Sequence, residues 1–178
     1  LSAVFDKAWL KSSSKPFRCN DQPISALRTV DLFSGCGGFT LGVHEAIEAL
    51  GLRADVRLAA DIDRASATVY ERNFRPARFL RDGLETVFDG EFGEASSAGE
   101  RRLKADVGEI DLLIGGPPCQ GHSDLNNHTR RQDAKNRLYP VMARAAEVLQ
   151  PKVVIIENVP GARHDRTASV RNTYHHLV

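Results

Sequence analysis

The chain has 178 residues, 42% hydrophobic and 26% charged, with a formal net charge of +1. That length suits one domain with a substantial apolar core and is short for two. Near-neutral charge says nothing about partners, and no apolar run reaches bilayer-spanning length, which argues against a membrane protein.

Three cysteines, Cys19, Cys36 and Cys119, are odd in number and widely spaced, so neither a disulfide framework nor a zinc-ligand pattern is expected. A reducing, intracellular setting follows. The chain begins at Leu1 rather than Met and shows no signal-peptide core, so its true beginning is open. From Gly121 onward nine Lys/Arg stand against five acids, and five of the six histidines lie there. This bias is compatible with a phosphate-bearing partner, but a solvated surface is its usual explanation.

Residues 1–28 are read as a leader packing loosely or along the domain surface, with one short helix near Val4 to Leu10. Thr29 to Phe33 is a β-rich run that stops at Ser34-Gly-Cys-Gly-Gly38, and Phe39 to Leu50 has helical composition before Gly51. Glycines spaced by one residue let backbone approach a ligand, and the helix amino terminus that follows favours acceptor groups. Val56 to Ala60 is the second strand, ending at Asp61, with Asp63 placed to cap a helix running to about Asn73. Ala77 to Leu80 is a third strand candidate. Gly83 to Gly108 reads as an irregular connection with one short helix around Glu100 to Ala105.

The fourth strand, Ile110 to Ile114, ends in two glycines, and Pro117 and Pro118 then stiffen the backbone immediately before Cys119. Prolines fix φ and remove amide donors, so the strand cannot pass through them and Cys119 sits on a turn beyond its end. At the carboxyl edge of a parallel sheet that thiol is a candidate nucleophile. A polar loop, Gly121 to Arg137, leads to a helix over Leu138 to Leu149, with Pro140 tolerated in its first turn. Lys152 to Ile156 is a β-branched strand of buried type that ends at Glu157-Asn158. The alternation predicts an α/β fold, a doubly wound parallel sheet with the first and fourth strands side by side at the switch point.

Three segments in this order, Asp31-Leu-Phe-Ser-Gly-Cys-Gly-Gly38, Gly116-Pro-Pro-Cys-Gln-Gly121 and Glu157-Asn-Val159, resemble the DNA cytosine-5 methyltransferases over Thr29 to Gly161. The resemblance implies a Rossmann-like fold that binds S-adenosylmethionine. It also implies double-stranded DNA as partner, with the target cytosine swung out of the helix because its ring carbons are inaccessible in the stack. Carbon 5 of cytosine is a poor nucleophile until a thiolate adds to carbon 6, and Cys119 matches that thiol. Glu157 matches the carboxylic acid that offsets charge building toward N3, and Asn158 is expected to position Glu157 or the neighbouring backbone, or to be structural.

For the cofactor, Phe33, Ser34, Gly35, Cys36, Gly37 and Gly38 match the turn around its amino-acid end, Phe33 also approaching the adenine. Asp61 is expected at the ribose hydroxyls, where the family more often has Glu. Ile62 is expected on the adenine, Asp82 at its amino group, and Pro117 and Leu138 at the cofactor's surface. Gln120, Ser123, Arg130 and Arg131 are the expected substrate contacts, on a loop that also carries His122, Asn126 and Asn127. A dinucleotide-binding domain is the competing reading. The position that should hold its third glycine is Thr40, and that fold leaves Pro-Pro-Cys-Gln unexplained.

The family pattern continues beyond this chain: a Gln-x-Arg-x-Arg segment, a target-recognition region and a closing Gly-Asn segment are absent. The expected organisation is a leader (1–28), a cofactor and nucleophile domain (29–161) and a polar tail or truncated connection (162–178). Two functional classes stay open. One is a methyltransferase completed by further sequence or by a complementary protein chain, inactive as this piece alone, with tRNA a lesser substrate alternative. The other is a non-catalytic S-adenosylmethionine-binding module. A bacterial-type cytoplasmic or nucleoid-associated location is expected, with no metal.

Overall fold

The computed structural model describes residues 25–118 and 138–157. In chain order these form β1 (Ala26–Leu32), α1 (Gly38–Ala49), β2 (Arg53–Ala60), α2 (Arg64–Phe74) and β3 (Phe79–Leu80). Then follow α3 (Leu84–Val87), α4 (Ala98–Val107), β4 (Leu112–Gly115), α5 (Leu138–Leu149) and β5 (Val153–Ile156). The strands make one five-stranded sheet in the order β3-β2-β1-β4-β5, and every pair is parallel. This is the doubly wound sheet expected, with the order reversing between β1 and β4. Ligands of such sheets bind outside the strand carboxyl ends at that reversal.

Residue alternation along the strands separates two faces. Val30, Leu32, Leu58, Leu80 and Leu113 point into the larger core with residues of α3, α4 and α5. Val56 and Ala59 point the other way, against Tyr70, Phe74 and Phe79. Helix α5 buries Tyr139, Val141, Met142, Ala145, Val148 and Leu149, and Pro140 occupies its first turn, where a missing amide costs no helical bond. Asp63 caps α2, its carboxylate accepting from the Ser66 amide at 2.8 Å.

Three expectations need correction. Strand β1 starts at Ala26, inside the expected leader, because Ala26 to Arg28 pair with Arg53 to Asp55 and the Arg28 guanidinium grips the Asp111 carboxylate. The connection over residues 83–108 holds a further short helix, α3, whose Leu84 and trailing Phe88 are buried, and α4 is longer than foreseen. Among the described residues β5 pairs with β4 alone, and its β-branched run is half-buried on one face and exposed on the other. Val154 and Ile156 meet the larger core, while Val153 and Ile155 are exposed. No helix among the described residues is long and apolar enough to cross a membrane.

Candidate active site

The turn after β1 owes its shape to left-handed backbone. Phe33, Gly35 and Gly37 have φ of 61°, 53° and 94°. At Gly37 any side chain is excluded twice over, since a Cβ would also lie 2.1 Å from the Phe74 ring. At Gly35 a Cβ would meet nothing within 4 Å, so that side of the turn is open. Helix α1 starts with Gly37 as N-cap, without a side-chain cap and without an acid in its first turn. Its leading amides therefore remain suited to a ligand carboxylate.

Hydrogen bonds lock the turn to the second strand. The Ser34 amide donates to the Ala60 carbonyl at 3.0 Å, and the Gly35 amide donates to Asp61 Oδ2 at 2.7 Å. The second carboxylate oxygen, Oδ1, accepts from the Asp63 amide at 2.8 Å. Asp61 thus already orders both loops, and its remaining lone pairs are what it can offer a pair of hydroxyls. Ser34 is buried and its Oγ has no partner among the described residues. Ile62, 71% exposed beside Asp61, presents an apolar side chain at the rim. Asp82 and Cys36 are exposed, and Phe33 is half-buried against the larger core.

Beneath the turn lies a buried polar chain that sequence reasoning missed, Asp31 standing in the sequence only as the first residue of the glycine-turn motif. Thr40 Oγ1 donates to Asp31 Oδ2 and lies 2.8 Å from the Tyr70 hydroxyl, joining β1 to α1 and α2. Burial pushes the Asp31 carboxyl up to about 7, opposed by its hydrogen bond from Thr40 and aided by the charge of Asp61. Thr40 at the place of a third dinucleotide-type glycine was the available signal: a polar residue there needs a buried partner.

The candidate nucleophile and acid strands end beside that turn. Gly115 is enclosed, a Cβ there lying 2.8 Å from the Leu32 carbonyl oxygen. The Glu157 amide donates to the Gly115 carbonyl at 2.9 Å, extending the β4–β5 ladder by one residue. A Cβ on Gly116 would come within 3.4 Å of Glu157 Oε2, so this carboxylate lies against the segment entering Pro117 and Pro118. Pro117 is buried, Pro118 half-buried, and Leu138 packs on the larger core, as a helix-face leucine does by default. Cys119, Gln120, Ser123, Arg130, Arg131 and Asn158 lie outside the described residues, as do His122, Asn126 and Asn127. No cluster of His, Cys, Asp or Glu able to hold a metal occurs among the described residues.

A parallel sheet whose β1 turn opens at Gly35, whose β2 ends in a loop-ordering acid and whose β4 ends in Gly-Pro-Pro has the α/β, Rossmann-like build of S-adenosylmethionine-dependent methyltransferases. The family model described as C-5 cytosine-specific DNA methylase matches residues 27–177, and the chain belongs to that family. It is 42% identical over 177 residues to the Type II methyltransferase M1.BsuMI of Bacillus subtilis (strain 168), covering 99% of this chain and 41% of the relative. It is 34% identical over 135 residues to the Type II methyltransferase M.AgeI of Thalassovita gelatinovora, covering 76% of this chain and 28% of the relative. A solved structure described as a DNA modification methyltransferase encoded within an E. coli prophage superimposes with a TM-score of 0.63 at 31% identity, over 85% of this chain and 37% of that one. The chain therefore spans less than half the length of these relatives.

Methyltransferases of this family use S-adenosylmethionine, and the residues present fit it. The uncapped amides at the start of α1 suit its carboxylate, the open side of Gly35 admits it, and the orphaned Ser34 hydroxyl awaits a partner of this kind.

Proposed function

We propose that this chain is the cofactor and nucleophile part of an enzyme that methylates carbon 5 of cytosine in double-stranded DNA through a covalent Cys119 adduct. The observation that carries the reading is the position of Glu157, set by the β4–β5 ladder against Gly116, three residues before Cys119. Acid and thiol then work on one ring. Cys119 Sγ bonds to carbon 6, the displaced π electrons move toward carbon 5 and N3, and Glu157 shares a proton with N3. Bound S-adenosylmethionine supplies an electrophilic methyl group. Loss of the carbon 5 proton to a base then restores the double bond and expels the Cys119 thiolate. Asn158 positions Glu157.

Phe33 to Gly38, Asp61, Ile62, Asp82, Pro117 and Leu138 form the cofactor site in this reading. Gln120, Ser123, Arg130 and Arg131 contact the DNA around an extruded cytosine. Because the chain spans 41% of M1.BsuMI and 28% of M.AgeI, target recognition is assigned to sequence outside it, or to a complementary protein chain. Alone, it should bind the cofactor and leave DNA unmethylated.

Calorimetric titration with S-adenosylmethionine, with NAD as control, tests the first half, and saturable binding of the former alone is the expected result. The second half is tested by adding the missing region in trans and following methyl transfer to cytosine-bearing duplex. Cys119→Ala should abolish transfer and spare cofactor binding; transfer that survives this change sinks the covalent mechanism.

A further inference from the structure

The first turn of α1 offers its amides to the cofactor without a side-chain cap of its own, so their direction must be fixed by what lies behind them. Gly37, Thr40 and His44 follow at the spacing of one helix face, and that face lies on α2. Tyr70 and Phe74, one turn apart on α2, are what it meets. The Phe74 ring leaves no room for a Cβ at Gly37, and its centroid lies 5.3 Å from that of His44 and 4.8 Å from that of Tyr70.

Thr40 completes the attachment from inside the first turn. Its single hydroxyl hydrogen goes to Asp31, so at the 2.8 Å contact the Tyr70 hydroxyl is the donor. The chain of bonds therefore runs from Tyr70 through Thr40 to Asp31. Asp31 is anchored on both sides, paired with Ala59 of β2 and Ile114 of β4, and stands two residues before the left-handed Phe33 that opens the turn. All three side chains are buried, so removing one hydroxyl leaves its neighbour unpaired.

We propose that Tyr70 and Thr40 are positioning residues for S-adenosylmethionine: acting through Asp31, they hold the first turn of α1 in the orientation in which the Gly35 to Gly38 backbone receives the cofactor. This inference rests on the cofactor site assigned above. Buried beneath the turn, both side chains act through its backbone, and the turn they hold has less ordering left to undergo on binding.

The test is calorimetric titration of S-adenosylmethionine into the full chain, together with amide hydrogen exchange of the unliganded protein. The reporting amides are those of Gly35, Gly37 and Leu41, each hydrogen-bonded within or beside the turn. Tyr70→Phe keeps the ring that packs on Phe74 and Phe79 and removes only the hydroxyl. Binding should weaken about three- to ten-fold, as for one buried hydrogen bond, with exchange at the three amides several-fold faster and exchange in β2 and β4 unchanged. Thr40→Val should weaken binding at least as much. Thr40→Ser restores the hydroxyl and should return the affinity to within about two-fold of wild type.

Unchanged affinity in Tyr70→Phe overturns the proposal whatever happens to its melting temperature, because a merely structural link would lower stability alone. A loss in Thr40→Val that Thr40→Ser does not recover overturns it as well. Should Thr40→Val fail to fold, Tyr70→Phe decides. A wild-type chain that does not bind S-adenosylmethionine overturns the cofactor site itself and this inference with it, whereas binding that no variant alters leaves the site standing and removes only the positioning role.

Discussion

The Asp61 carboxylate holds the Gly35 amide at 2.7 Å, so the acid that ends β2 fixes the glycine turn that follows β1. Its other oxygen holds the Asp63 amide of its own loop. Substitution by Asn keeps one acceptor and turns a donor toward the other amide. Asp61→Asn should therefore weaken S-adenosylmethionine binding about ten-fold, which corresponds to the loss of roughly 1.4 kcal/mol. Calorimetric titration measures it, with thermal melting as control for a loop held by few other bonds. Unchanged affinity would mean that the turn keeps its shape without Asp61.

Asp31 gives the fold a pH dependence of unusual direction. Burial raises its carboxyl to about 7, so the folded protein favours the neutral form. The resulting stability is fully present below the ordinary Asp range near 3.9, declines as pH rises, and is gone above about 7. Asp31→Asn is neutral at every pH. Its melting temperature relative to wild type should therefore climb between pH 4 and pH 8, by the equivalent of about 1–3 kcal/mol. A difference that stays flat across that range contradicts the assigned protonation.

Asp111 has the opposite sign. Hydrogen bonds from the Arg28 side chain, then from Lys152, hold its carboxyl well below the usual carboxylate range. That contribution is present above the ordinary Asp range and is lost as pH falls through the depressed folded value. The cluster joins β1, β4 and the start of β5, because the Asp111 amide also donates to the Arg28 carbonyl and its carbonyl accepts from Val153. Asp111→Asn should melt lower than wild type at pH 7 and lose less on acidification below about pH 4. Parallel melting curves for the two proteins would remove the cluster from the account of register.

What the sequence made legible was local. The Gly35 and Gly37 turn, the Asp63 cap and the α5 helix each rest on residues a few positions apart, whose backbone preferences act whatever surrounds them. The order of Gly35-x-Gly37, the Gly116-Pro-Pro segment and Glu157 was equally readable, and these segments follow β1, β4 and β5 in turn. The rest depended on distant partners. Arg28 looks like loop sequence until Asp111, 83 positions on, accepts from it. The four residues of α3 carry too little periodicity to be seen before Leu84 and Phe88 meet the core. In β5 four consecutive β-branched residues conceal which side meets the larger core, and only the pairing with β4 decides.

Arg144 makes the most numerous of these hidden contacts. From α5 it donates to both carboxylate oxygens of Glu100 at 2.8 and 2.7 Å, to Glu147, and to the carbonyls of Glu91, Glu94 and Ala95. One guanidinium thereby satisfies the loop between α3 and α4, and Glu100 in turn closes the capping box with Ser97. Both Arg144 and Glu100 are fully or almost fully buried. Arg144→Met leaves the Glu100 carboxylate buried without its cation and frees three carbonyls, so it should cost about 3–5 kcal/mol in urea unfolding. Adding Glu100→Gln removes the stranded charge and should recover part of that loss, since the amide oxygen can still accept from one of the Ser97 and Gly90 amides that Glu100 now serves. The double-mutant cycle measures the coupling. If Arg144→Met costs less than about 1 kcal/mol, the loop is held by its apolar contacts and the buried pair is incidental.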